Sequence, residues 1–226
     1  MIKFYAPDLS DKRISYAADS LEKHGYRRVF DEKNADFLLL CVNSDYKSDI
    51  PFADYKNNEL FALKNAYLTA EAALCVAIEK SNKSLVSSNV LITGYGRIAK
   101  ALHKYISPFT GNVTVCARNP NDRVLAEYNN AKVIDFADLK NKNSFDFVFN
   151  TVPHPVFNGA ELSALPRDCV LIDLASFPGG VDKHYALSRK INLIEARGLP
   201  GKFSPETAGH IVAEAVDQVI SCLLYT

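Results

Sequence analysis

Asn89-Val90-Leu91-Ile92-Thr93-Gly94-Tyr95-Gly96-Arg97-Ile98-Ala99 is an apolar run that breaks into G-x-G-x-x-A and resumes with helical spacing. Glycines at that spacing take their meaning from context. Here a β-type run precedes them, and a second one, Val113-Thr114-Val115-Cys116-Ala117, follows the helix. In such a strand–turn–helix–strand unit Gly94 permits the tight turn and Gly96 lets a diphosphate reach the backbone with no Cβ in the way. Ala99 keeps the helix close to the strand. The first N–H groups of the helix, at the positive end of its dipole, then face the phosphates. The expected ligand is a dinucleotide, with Gly94, Tyr95, Gly96, Arg97 and Ile98 against it.

The end of the second strand bears on which dinucleotide. An NAD site usually carries Asp or Glu about 20 residues past the glycines, where it holds the ribose 2′-hydroxyl. This chain has Arg118-Asn119 there. A carboxylate would repel a 2′-phosphate, whereas a guanidinium pairs with it and stacks on adenine. NADP is therefore expected over NAD, with Arg118 and Asn119 as ligands.

Composition excludes several other classes. The chain has 226 residues, 48% apolar and 11% aromatic, enough for a packed core. Its 26 basic residues balance 26 acidic ones, so no global field draws nucleic acid or anionic lipid. The cysteines Cys41, Cys75, Cys116, Cys169 and Cys222 lack C-x-x-C spacing and stand mostly in apolar runs, as buried reduced thiols do. No metal site is expected. The start, Met1-Ile2-Lys3-Phe4-Tyr5-Ala6-Pro7, lacks the features of a signal peptide, and no 18-residue apolar stretch is evident. The expectation is a cytoplasmic protein without a membrane partner.

The chain divides into residues 1–58 as a small α/β domain, 59–80 as a linking helix and 81–226 as the nucleotide domain. Strands are expected at Ile2–Tyr5, Arg28–Phe30 and Phe37–Val42, with a helix near Ile14–Leu21. Asn43–Asn58 is polar and aperiodic, hence a loop. From Glu59 to Glu79, apolar residues recur at three-and-four spacing. Beyond Asn89, strand signals at Val133–Ile134, Phe147–Phe149, Val170–Leu174 and Asn192–Ile194 alternate with helices, and a last helix runs from about Glu206 to Leu223. Such alternation implies a doubly wound parallel Rossmann sheet. His24, His103, His184 and His210 fall on expected helices and read as surface residues.

Ligands of such sheets lie beyond the carboxyl ends of the strands. Three of those ends carry Asn150-Thr151-Val152-Pro153-His154-Pro155, then Asp173 through Asp182 with Ser176, Gly179 and Gly180, then Glu195-Ala196-Arg197-Gly198. Together they are expected to ring the nicotinamide end of the dinucleotide.

These strings carry a resemblance. Leu63–Glu71, Ala117-Arg118-Asn119, Asn150–Pro153, the A-S-x-P-G-G-x-D string at Ala175–Asp182 and the G-L-P-G-x-x-x-P-x-T-A-G string at Gly198–Gly209 resemble the A-subunit family of dipicolinate synthase, from about residue 60 onward. The stretch ahead of the linking helix is shorter than that family's N-terminal domain. His154 stands where a small residue is expected, and Arg197 where a proline is. The resemblance implies NADP-dependent oxidation of dihydrodipicolinate to dipicolinate, the calcium-chelating acid of bacterial spores. It also implies a role in sporulation and a partner, the flavoprotein-like B-subunit of dipicolinate synthase.

For that chemistry the cofactor carries the hydride and the protein positions a small dicarboxylate. Thr151, Val152 and Pro153 are expected against the cofactor. Thr69, Gly179, Gly180 and Arg197 are expected to bind substrate. Ser176 and His154 are expected to be catalytic, His154 as base because imidazole is the side chain that changes charge near neutral pH. A homo-oligomer is expected. Two alternatives stand beside this: an NADP-binding regulatory or scaffolding subunit without catalysis, and an NADP-dependent reductase of another small acid.

Overall fold

The computed structural model describes residues 1–42, 44–142 and 144–224. In chain order the elements are β1 (Lys3–Tyr5), α1 (Lys12–Lys23), β2 (Arg27–Arg28), β3 (Phe37–Leu38), α2 (Glu59–Glu79), β4 (Val90–Thr93), α3 (Arg97–Ile106), β5 (Val113–Cys116) and α4 (Pro120–Tyr128). There follow β6 (Lys132–Ile134), α5 (Phe136–Leu139), β7 (Phe147–Asn150), α6 (Gly159–Ala164), β8 (Val170–Asp173), α7 (Lys183–Ser188), β9 (Asn192–Glu195), α8 (Leu199–Phe203) and α9 (Pro205–Leu224). They form two compact units, one of residues 69–197 and one of residues 1–68 with 198–226.

The 69–197 unit is a six-stranded sheet in the order β6-β5-β4-β7-β8-β9, every pairing parallel. Both of its faces are covered, so β4, β5, β7 and β8 are buried along their whole length and read as unbroken apolar runs rather than alternating ones. The order reverses around β4, which lies between β5 and β7. A parallel doubly wound sheet opens its ligand crevice at that point. At the opposite edge Lys83 bonds Asp146 at 2.6 Å and Asp168 at 2.8 Å, and Asp146 also accepts from the Asn89 amide at 2.9 Å. The starts of three central strands are thereby tied together. Cys116 and Cys169 are buried reduced thiols, and desolvation pushes both up to about 12. Cys75 is exposed and Cys41 half-buried, while the Cys222 side chain lies outside the described residues.

In the other unit a three-stranded parallel sheet, β2-β1-β3, carries α1. Asp11 caps that helix by accepting from the Arg13 amide at 2.9 Å. Ile14, Ala17, Ala18 and Leu21 face the core, and there they meet Val212, Ala213, Val216 and Ile220 of α9. The two helices cross so closely that a Cβ at Gly209 would lie 2.5 Å from the Tyr16 Cβ and 2.7 Å from the Arg13 carbonyl oxygen. The sequence reading set this last helix in the nucleotide domain; here it packs on α1. Three short strands cannot bury α1 alone, and α9 supplies the missing apolar face. Truncating Ile14 to alanine removes packing worth about 2–5 kcal/mol. The loop expected at 43–58 has no helix or strand in its described residues, with Asn43 outside them.

α2 forms over the expected span. By length and composition it is long and apolar enough to cross a membrane, which the expectation of no such stretch did not allow for. Its Ala66, Ala70, Ala72, Ala73 and Ala77 are buried in protein.

Candidate functional site

Three neighbouring strands each end in a polar residue. Register sets Thr93 beside Asn150 and Asn150 beside Asp173, and all three are almost fully buried. Thr93 Oγ1 donates to Asn150 Oδ1 at 2.6 Å, and Asn150 Nδ2 donates to Asp173 Oδ1 at 2.7 Å and to the Val152 carbonyl at 3.1 Å. The Val152 amide returns a bond to Asn150 Oδ1 at 3.1 Å. The Asp173 carboxylate also accepts from the amides of Ala175 at 3.3 Å and Gly180 at 3.2 Å. This row shapes two of the loops above the sheet. It was not singled out from sequence, although the runs V-L-I-T, F-V-F-N and V-L-I-D each signal it by closing on a polar residue.

The turn after β4 has the geometry its glycines suggest. Gly94 sits at φ +83°, and a Cβ there would lie 2.6 Å from Thr151 Oγ1. Thr151 holds that position by donating to the Thr93 carbonyl at 2.7 Å. Gly96 has ordinary backbone angles, and nothing lies within 4 Å of where its Cβ would be. As N-cap of α3 it gives that helix no side-chain cap, so the first N–H groups of α3 receive no bond from a capping side chain. Ala99 is fully buried against the sheet.

Beside this turn opens a cavity of about 750 Å³, within the size range of cofactor sites. Gly94, Tyr95, Arg118, Asn119, Val152, Pro153 and His154 line it together, with Asp122 and Glu161. Arg118 is exposed and has no partner among the described residues. Asn119 caps α4, its Oδ1 accepting from the Asn121 amide at 2.9 Å. Asp122 sits in the first turn of the same helix, where a carboxylate complements the dipole. Gly96, Arg97, Ile98 and Thr151 flank the cavity without lining it. A smaller hollow of about 130 Å³ by Cys41 and Tyr55, in the other unit, is too small for a dinucleotide.

Other expected site residues are placed differently. The Tyr95 side chain turns into the core, so this residue offers the cavity its backbone. His103, expected at the surface, is buried, whereas His24, His184 and His210 are exposed. His154 shares a wall with Arg118, and Ser176 is exposed but does not line that wall. The Gly179 amide donates to the Ser176 carbonyl at 2.8 Å and the Gly180 amide to Asp173, so neither is available to a substrate. Arg197 is likewise engaged within the protein, donating through Nε to the Ala175 carbonyl and through Nη2 to that of Pro178, each at 3.1 Å. It clamps the loop between them. Thr69 is buried on α2.

Residues 56–191 match the family described as the D-isomer specific 2-hydroxyacid dehydrogenase NAD binding domain. The A-subunit of dipicolinate synthase from Bacillus subtilis (strain 168) is 31% identical over 163 residues, 71% of this chain and 54% of that protein. The match thus spans about half the length of that relative. Among solved structures, the A-subunit of dipicolinate synthase from Bacillus halodurans superposes with a TM-score of 0.84 at 19% identity, covering 96% of this chain and 98% of that one. D-2-hydroxyisocaproate dehydrogenase superposes at 0.62 with 12% identity, covering 99% and 97%. At those identities the likeness is one of fold.

Proposed function

The chain belongs to the D-isomer specific 2-hydroxyacid dehydrogenase family through its NAD-binding domain, and on that premise we propose an NADP-dependent oxidoreductase resembling the A-subunit of dipicolinate synthase. The observation that carries the cofactor choice is Arg118: an exposed guanidinium on the cavity wall, without a partner among the described residues, where an NAD site would place a carboxylate. The residues fit a dinucleotide. Gly96 leaves open space above the backbone, the uncapped start of α3 offers N–H groups to the diphosphate, and Arg118 with Asn119 meets the 2′-phosphate. Val152 and Pro153 supply an apolar wall. When bound, the nicotinamide accepts the hydride.

The substrate proposed is dihydrodipicolinate, oxidised to dipicolinate, with the B-subunit of dipicolinate synthase as partner. Ser176, at the tip of the loop that Arg197 clamps, is the residue assigned to the substrate side. The wall shared with Arg118 favours a cofactor role for His154 over the proton transfer expected from sequence. A second reading, a dinucleotide-binding subunit without turnover of its own, draws support from the Asp173–Gly180 loop, whose glycine amides are engaged within the protein. Calorimetry with NADPH and NADH tests the cofactor assignment, and equal affinities overturn it. NADP reduction by the purified chain, given the B-subunit partner and freshly generated dihydrodipicolinate, separates the two readings. Turnover sustains the enzyme, and binding without turnover sustains the non-catalytic reading.

A further inference from the structure

Behind the glycine turn lies a buried polar cluster that cofactor binding leaves unused. Tyr95, between the two glycines, is 3% exposed. Its hydroxyl lies 2.9 Å from Nδ1 of His103 on α3 and 3.4 Å from Nδ2 of Asn129, the C-cap of α4. The Tyr95 and His103 rings are tilted, with centroids 5.9 Å apart. An amide N–H can only donate, so Asn129 directs a proton at the phenolic oxygen, and the hydroxyl's own proton goes to Nδ1. The arrangement that satisfies all three groups is a neutral imidazole with its hydrogen on Nε2 and Nδ1 accepting from the phenol.

We propose that Tyr95 and His103 are positioning residues: through this cluster they hold the turn from Gly94 to Gly96 in the shape that presents the first N–H groups of α3 to a dinucleotide. The inference rests on the cofactor reading of that turn. Tyr95 is the residue whose backbone forms the turn, and its hydroxyl is anchored to α3 and to the C-terminal end of α4. The turn is thus braced from beneath by side chains that never meet the ligand.

With a proton on Nδ1 the ring would donate to the phenolic oxygen instead, and the hydroxyl's own proton would lose its acceptor inside the buried cluster. Burial draws the His103 pKa below its ordinary value, which keeps the acceptor form at neutral pH. Burial likewise pushes Tyr95 up, against the hydrogen bond from Asn129, so it remains a phenol. The charged groups facing the pair are Lys100 of α3, 5.6 Å from the Tyr95 ring centroid, and Asp122 of α4, which acts on Tyr95 electrostatically. Because the folded pKa of His103 lies below the unfolded one, the stabilisation is present above the unfolded pKa. It is lost as pH falls through the lowered folded value.

The experiment is NADPH titration of the intact chain at about pH 8 and about pH 5.5, with thermal melts alongside, for wild type, Tyr95→Phe and His103→Gln. The glutamine can accept the hydroxyl's proton but does not titrate. The phosphate's own protonation near pH 6 is common to wild type and His103→Gln and cancels between them. Expected is an acid loss of affinity about tenfold larger in wild type than in His103→Gln, with equal binding at the higher pH. Tyr95→Phe should bind about tenfold more weakly at pH 8 when titrated well below its Tm, which falls because the buried Nδ1 loses its donor. Equal acid losses in wild type and His103→Gln, or full affinity in Tyr95→Phe, overturn the inference. If Tyr95→Phe does not fold, the His103→Gln comparison decides alone. Wild type binding no NADPH at pH 8 would instead remove the cofactor reading.

Discussion

Two glycine-bearing loops rise from the same edge of one sheet, and they use their glycines for opposite purposes. After β4, Gly96 has empty space where a side chain would be, and the helix behind it begins without a side-chain cap. After β8, a Cβ at Gly180 would run into the Asn150 amide nitrogen and lie 2.5 Å from the Val152 carbonyl oxygen. Its N–H is bonded to Asp173. One loop is shaped to be approached by a ligand, the other to be approached by its own neighbours. Glycine in a strand-end loop therefore does not identify a binding site until the surroundings of its missing Cβ are known.

The contrast can be broken most severely at Asp173. Asp173→Ala takes one of two acceptors from the Asn150 side-chain amide and leaves the Ala175 and Gly180 N–H groups without theirs, and is expected to cost about 3–5 kcal/mol of unfolding free energy. Chemical denaturation measures it, and a loss under about 1 kcal/mol would mean the loop does not depend on this carboxylate. The next largest effect is expected on the open side. Gly96→Val should keep the wild-type Tm while dinucleotide affinity falls by about a thousandfold, roughly 4 kcal/mol. Normal NADPH binding by that variant would put the phosphate site elsewhere.

Arg118→Ala sharpens the picture of the open side. Loss of a charge-assisted contact should weaken NADPH by about 1.5–3 kcal/mol and leave NADH unchanged, read by calorimetry. Parallel losses for both dinucleotides would take the arginine off the 2′-phosphate. Gly180→Ala closes the series: about 1–3 kcal/mol of stability from overpacking, with dinucleotide affinity retained in the folded fraction. A variant as stable as wild type would show that the crowding around Gly180 relaxes freely.

Much of the molecule was legible in the residues, and the reasons differ by region. The strands of the large sheet stand out because burial on both faces demands continuous apolar runs, and the turn after β4 because its glycines stand between a strand and a helix. The role of Gly180 was not legible, since its partners Asn150, Val152 and Asp173 come together only when β7 and β8 pair. His103 misled for a related reason. A helical histidine suggests solvent, yet the Tyr95 hydroxyl and the His103 ring bury each other's polar atoms. The apolar face of α9 was plain, but its period names no partner, and nothing local says that it covers α1 rather than the nearer sheet.

The close crossing of α9 over α1 has a consequence for the order of assembly during synthesis. The nucleotide-binding unit is one uninterrupted segment and has all of its core residues once Arg197 has been made. The unit that begins the chain must wait for Val212, Val216 and Ile220 before α1 is covered. The usual sequence, in which the N-terminal part folds first, is thereby reversed: the middle of the chain matures while its beginning remains open. A chain ending at Arg197 should resist protease through β4–β9 and be cut readily in α1, whereas protection of α1 in that truncation would contradict this order.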